Sequence, residues 1–134
     1  MSYIGLQPAN AVLTASDIAD NIITSAKLNY AEITLTDQAT VTWDASTQEV
    51  CKLTLGGNRT LAAPSNGTTG QFISILLIQD GTGGRTVTWN AVYEFTADTA
   101  PTLTATAAKG DVFVFRYNGA KWLEVGKNLN LTLS

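Results

Sequence analysis

The sequence predicts an all-β protein, and three observations carry that reading. From Ala31 onward, short runs of β-branched and aromatic residues alternate with clusters of Gly, Asn, Asp and Thr, at intervals too short for helices. Gln71 to Asn90 reads as a long apolar strand, a glycine-rich turn and a returning strand that ends in tryptophan. Asn118-Gly119, set between FVFRY and KWLEV, is a strong hairpin signal because both residues tolerate positive backbone angles. The expected architecture is an antiparallel, jelly-roll-like β-sandwich over residues 31–134, preceded by an extended arm with a short helix over residues 1–30.

The arm comes first. Pro8 biases its neighbour away from helix, and nothing in the first residues repeats at helical spacing, so Met1 to Pro8 is expected to be extended. Ser16 can cap a short helix begun by Asp17, with Ile18, Ile22 and Ile23 at near-helical spacing and Asp17 and Asp20 toward its positive end. Asn21, Thr24 and Ser25 are poor helix-interior residues, which limits that helix to one or two turns.

Ten strands follow: Ala31 to Thr36, Ala39 to Trp43, Glu49 to Leu55, Arg59 to Ala62, Gln71 to Gln79, Arg85 to Trp89, Val92 to Phe95, Pro101 to Thr104, Asp111 to Tyr117 and Lys121 to Val125. Gly56-Gly57-Asn58 and Asp80-Gly81-Thr82-Gly83-Gly84 supply the turns. ATVTWD (Ala39 to Asp44) recurs as RTVTWN (Arg85 to Asn90), and the glycine turn before Arg59 is echoed before Arg85. With two copies and no fixed period, the echo reads as hairpins reused across two sheets rather than as a solenoid.

The strand Gln71 to Gln79 is apolar on both faces. Phe72, Leu76 and Ile78 share one face with Ser74, while Ile73, Ile75 and Leu77 take the other. Val112 and Val114 likewise lie opposite Phe113, Phe115 and Tyr117. Only 14% of the chain is charged. Strands of this kind need cover on both sides, so the sequence predicts a homo-oligomer, with Ile73, Ile75, Leu77, Val112 and Val114 as the subunit interface.

Composition removes several function classes. Net charge is −3 and the eight Lys and Arg residues are scattered singly, so there is no basic stripe for nucleic acid. Histidine is absent, which takes away the usual general base and the commonest metal ligand. Cys51 is the only cysteine and reads as a small buried hydrophobe. No signal peptide or membrane-spanning run is recognisable, and neither a metal nor a cofactor is expected. Asp44, Asp80, Glu94, Asp98 and Asp111 are the acids available for a hydrolytic pair, but most fall at strand ends or turns, where Asp bonds the local backbone. Arg59 and Arg85 read as solvated edge-strand charges. Trp43, Trp89 and Trp122 read as plugs at the ends of the sandwich; the alternative is that they stack on sugars beside neighbouring Asn and Asp.

These residues carry a resemblance. Tyr3-Ile4-Gly5-Leu6-Gln7-Pro8-Ala9 followed by Asp17 to Leu28 resembles the amino-terminal segments of tailed-bacteriophage fibre and appendage proteins. The order LGGNRTL, then QDGTGGRTVTW, then FRYNGAKWLEV resembles a β-rich module of phage tail fibres and virion surface proteins. The resemblance implies a homotrimeric, non-enzymatic virion component, assembled in the host cytoplasm. Its arm (Tyr3, Ile4, Leu6, Pro8, Ile18, Ile22, Ile23, Leu28) would dock on a major capsid protein or on a tail- or portal-associated protein. The chain is short for a fibre, which makes a capsid decoration protein or head fibre as natural a reading as a tail fibre. A receptor module for host surface glycans is the alternative, and no nucleic-acid or membrane partner is expected.

Overall fold

The structure, a computed structural model, describes residues 31–134. The expected helix near Asp17 and the docking residues of the arm lie outside the described residues.

The described chain is all-β, as the composition of its strands requires. Nine strands form: β1 (Ile33–Thr34), β2 (Thr40–Val41), β3 (Val50–Leu55), β4 (Arg59–Leu61), β5 (Phe72–Gln79), β6 (Val87–Trp89), β7 (Tyr93–Glu94), β8 (Lys109–Tyr117) and β9 (Trp122–Thr132). They make a six-stranded sheet ordered β1-β3-β5-β8-β9-β7 and a three-stranded sheet ordered β2-β4-β6.

Pairing departs from the antiparallel expectation. Successive strands alternate between the two sheets, so β1, β3 and β5 stack in parallel in one and β2, β4 and β6 in parallel in the other. The chain therefore winds through three stacked coils. In the larger sheet Ile33, Cys51 and Ile75 fall in one row, and Leu53 continues to Leu77 in the next. In the smaller sheet Val41, Leu61 and Trp89 are in register. The spacing from Ile33 to Cys51 to Ile75 is uneven because the corner loops differ in length, which is why no period shows in the sequence. The ATVTW echo reflects this stacking: its two copies sit on β2 and β6, on either side of β4, offset by two residues, so that Thr40, Thr60 and Thr88 align.

The stretch Gln71 to Asn90 is consequently not a hairpin. β5 and β6 lie in different sheets, and the corner between them explains why. The buried Gln79 amide accepts from the Arg85 backbone N–H and donates to the Arg85 carbonyl, each at 2.9 Å, so it completes both main-chain groups that a returning strand would otherwise have paired. Asp80 Oδ1 accepts from the Thr82 and Gly83 N–H groups, and its Oδ2 accepts from the Arg85 guanidinium at 2.8 and 3.0 Å. Gly83 has φ +73°, and a Cβ there would lie 2.5 Å from the Ala105 carbonyl oxygen. Only glycine fits that approach.

An equivalent fork holds the corner above. Arg59 donates to Asp37 through Nε (2.6 Å) and Nη2 (2.8 Å), and Asp37 also accepts from the Gly56 N–H. Arg59 and Arg85 are thus bidentate corner clamps rather than free edge charges.

β8 closes the larger sheet by running antiparallel to β5, and β9 returns antiparallel to β8. The predicted hairpin at Asn118 is present; its loop runs over four residues, with Asn118 Oδ1 accepting from the Ala120 and Lys121 N–H groups. β9 extends to Thr132, well past the expected Val125. Pro101 to Thr104 is not a strand. Its position is fixed instead by the buried Asp111 carboxylate, which accepts from the Thr104 N–H (2.7 Å), the Thr104 hydroxyl (2.8 Å) and the Asn130 N–H (2.9 Å).

The core lies between the sheets and is dominated by Trp43, Trp122, Phe113, Phe115 and the Leu and Ile rows. Trp89 packs near-perpendicular to Tyr93, Phe95 and Phe113, with centroids 5.0–5.2 Å apart. Its buried indole N–H has no oxygen or nitrogen acceptor among the described residues.

Replacing Asp111 with Ala would strand two main-chain donors and unpin both Thr104 and the β9 bulge. We expect a loss of about 3 kcal/mol in urea unfolding, against under about 0.5 kcal/mol for an exposed control such as Thr88→Ala.

Candidate functional site

The larger sheet has two faces of unlike character. Ile73, Ile75 and Leu77 are 1%, 0% and 2% exposed and belong to the chain's own core, so they are not available to another subunit. This corrects three of the five residues of the predicted interface. Val112 and Val114 lie on the opposite, outer face, in register with Leu76 and Ser74 of β5. That face continues through Phe72, 54% exposed, and Val50 of β3. Alternation in the sequence divides β5 into its two faces; the serine at position 74 is the signal that marks which one is outside.

Gly126, paired with Val114, leaves this face open, whereas Gly110, opposite Ile78, is buried beneath Leu76 and Leu133 of the same chain, which a Cβ there would meet at about 3 Å. Charge lies on this face as well. Lys52, in register with Leu76, is bridged to Glu32 at 2.9 Å on the β3 flank, and exposed Arg116 lies on the β8 flank in register with Phe72. Glu49, which precedes the strand, accepts from the Gln71 amide. The result is a sheet face whose apolar residues on β5 and β8 are bordered by Lys52 and Arg116.

Trp43 and Trp122 do not offer sugar-stacking faces. Trp43 and Trp122 are 2% and 1% exposed; the Trp43 indole donates to the Gln48 carbonyl, and Trp122 stacks on Tyr117 at 4.6 Å. Trp89 is half-buried and packs against Tyr93, Phe95 and Phe113. The core-plug reading is the one the structure supports. A polar groove of about 370 Å³ does open beside Trp43, bordered by Thr36, Gln38, Thr42, Asp44 and Gln48. Asp44 accepts from the Ser46 hydroxyl and the Asn66 amide, which hold its carboxyl below the usual carboxylate range.

The acids noted in the sequence mostly have structural partners. Asp80 and Asp111 hold corners, and Glu124, whose side chain is almost wholly buried, accepts from the Thr96 N–H and hydroxyl and from Lys127. Glu94 and Asp98 do come together. Their shared hydrogen bond raises the Asp98 carboxyl above the usual range, and that bond with Lys121, 3.0 Å away, lowers Glu94. The pair is on the surface, and among the described residues no three His, Cys, Asp or Glu side chains converge on a metal position. Cys51 is buried beneath the sheet; burial pushes its thiol up to about 11, which keeps it protonated and unreactive at neutral pH.

The Glu94–Asp98 pair makes a pH-dependent contribution whose sign can be stated. A carboxyl whose folded value is raised binds its proton more tightly in the native state, so its contribution is complete at low pH and is lost as pH rises through that folded value. Asp98→Asn, which mimics the protonated acid and tolerates the left-handed backbone at φ +53°, should therefore raise Tm at neutral pH and change it little near about pH 3. Thermal melts at the two pH values check this; an equal shift at both would remove the shared proton as the cause.

Comparison with known proteins gives a family. A family model described as "Putative phage tail fibre C-terminal domain" matches residues 22–122, three quarters of the chain. No curated protein matches the sequence. A β-rich body of stacked coils closed by a long hairpin, with its acids spent largely on corners, is what residues 31–134 bring to that match, and the chain belongs to the phage tail fibre C-terminal domain family.

Proposed function

We propose that the protein is a structural, non-enzymatic virion component, a homotrimeric short fibre or capsid decoration protein that attaches through residues 1–30 and projects the β-body from the particle. The observation that carries the reading is the outer face of the six-stranded sheet, an apolar surface on a phage fibre domain with no chemistry of its own. The absence of histidine and the use of Asp37, Asp80, Asp111 and Glu124 as structural acceptors support a non-catalytic role. The partner of residues 1–30 is a major capsid protein or a tail- or portal-associated protein.

Removing Met1 to Leu28 should leave a folded trimer by light scattering that no longer co-sediments with particles. Undiminished co-sedimentation would overturn the arm as the attachment.

The polar groove beside Trp43 favours a second reading, recognition of host surface glycans, because hydroxyl and amide groups line it beside a single carboxylate. On this reading the protein binds host envelope polysaccharide on an array, and the double substitution Gln38→Ala with Thr42→Ala lowers that binding at least about tenfold while leaving the melting curve unchanged. Binding that survives the substitutions would remove the groove from consideration.

A further inference from the structure

A gap lies between β6 and the segment that runs beside it. Trp89 of β6 packs against Phe95 with ring centroids 5.0 Å apart, and at the other end the Gly84 N–H donates to the Ala105 carbonyl at 2.8 Å. The chain from Phe95 to Ala105 therefore runs alongside β6 in the opposite direction, yet it does not pair with it. Pro101 has no N–H, and no main-chain group from Thr99 to Thr104 bonds to β6. Between the two is a groove of about 310 Å³, walled by Thr86 and Val87 on one side and by Pro101, Thr102 and Leu103 on the other.

Main-chain groups of β6 open toward this side. The Arg59 N–H donates to the Thr86 carbonyl and the Asn90 N–H to the Leu61 carbonyl, so the even-numbered residues face β4. That parity turns the N–H and C=O of Val87 and Trp89 to the other edge, where they have no partner among the described residues. The neighbouring segment is held off them by Asp111, whose buried carboxylate takes the Thr104 N–H and hydroxyl. The edge is thus kept open, and an open strand edge is a template for another strand.

We propose that an extended segment of another polypeptide lies in this groove and adds a strand to β6, bonding through its main chain to Val87. The walls select that occupant. A donor and an acceptor on one strand residue are met by the main chain of an extended peptide, and the alternate side chains of that peptide then face the groove wall. Val87, Pro101 and Leu103 make the wall apolar, and the one charge at its end, Arg85, is committed to Asp80 at 2.8 and 3.0 Å. The side chains that enter are therefore small and uncharged. With about 3.3 Å of rise, about 4.8 Å between strands and about 10 Å of depth, one extended residue takes about 160 Å³, so the groove holds about two. This contact is separate from attachment through residues 1–30 and does not depend on the number of copies in the assembly.

The experiment titrates the full chain, labelled with nitrogen-15, with the peptide acetyl-Thr-Val-Ala-Val-Thr-amide and follows amide exchange by NMR. In the free protein the Val87 amide should exchange faster than that of Thr88 on the paired edge; with peptide bound it should slow at least about tenfold. Methylating alternate peptide nitrogens should weaken binding at least about tenfold when the methyls face β6, and little when the other set is methylated. Thr102→Trp, at the exposed rim, should fill the groove and abolish binding without changing the melting curve. Val87→Pro, which removes the outward N–H and leaves the β4 ladder intact, should also weaken binding. The proposal is overturned by a Val87 amide already protected in the free protein, or by no saturable binding up to about 1 mM. Binding that ignores both methylation patterns or survives Thr102→Trp would overturn it equally.

Discussion

The corner at Gln79 to Arg85 is the constraint on which the rest of the structure depends. A buried glutamine amide that satisfies both main-chain groups of Arg85 ends β5 without any need for a strand beside it. The chain can then turn away from the larger sheet and lay β6 into the smaller one. The Asp80–Arg85 fork and the tight approach of Gly83 to Ala105 hold that direction. Had the corner closed as an ordinary hairpin, β6 would occupy the edge of β5 that β8 now takes. The closing antiparallel strands would then have no place in the sheet.

Closure has its own linchpin. Parallel coils leave an open side, and β8 seals it by pairing antiparallel with the last coil. Asp111 sits at the point where β8, the Pro101–Ala105 segment and the β9 bulge meet, and its three accepted hydrogen bonds make one carboxylate serve all three. Charge is thereby spent inside the fold. The same economy bears on the exterior: with most acids and bases committed to corners and straps, the β5 and β8 part of the outer face of the six-stranded sheet is left largely apolar.

For a domain of the phage tail fibre C-terminal family, such a division of labour has a physical logic. Coils stacked in parallel continue one hydrogen-bonded ladder through the body, and the core between the sheets is built within the single chain. No reactive group is required for that task.

What the sequence determined by itself was local. Strand positions follow from the alternation of β-branched and aromatic residues with glycine turns, so β3, β4 and β5 lie within a residue of where the pattern puts them, and the burial of Cys51 and the hairpin at Asn118 were equally legible. What only the tertiary structure decided was direction and partner. Period-two alternation assigns side chains to two faces but does not say which face meets the core, and for a strand apolar on both sides only Ser74 hinted at the answer. Parallel stacking could not be read because unequal corner loops erase the period, and because the interaction that sends β6 into the other sheet is one side-chain amide meeting a backbone six residues away. Asp111 likewise took its meaning from segments far apart in the chain, because a composition rule sees only an acid and the assembled sheet shows which backbone groups it accepts from.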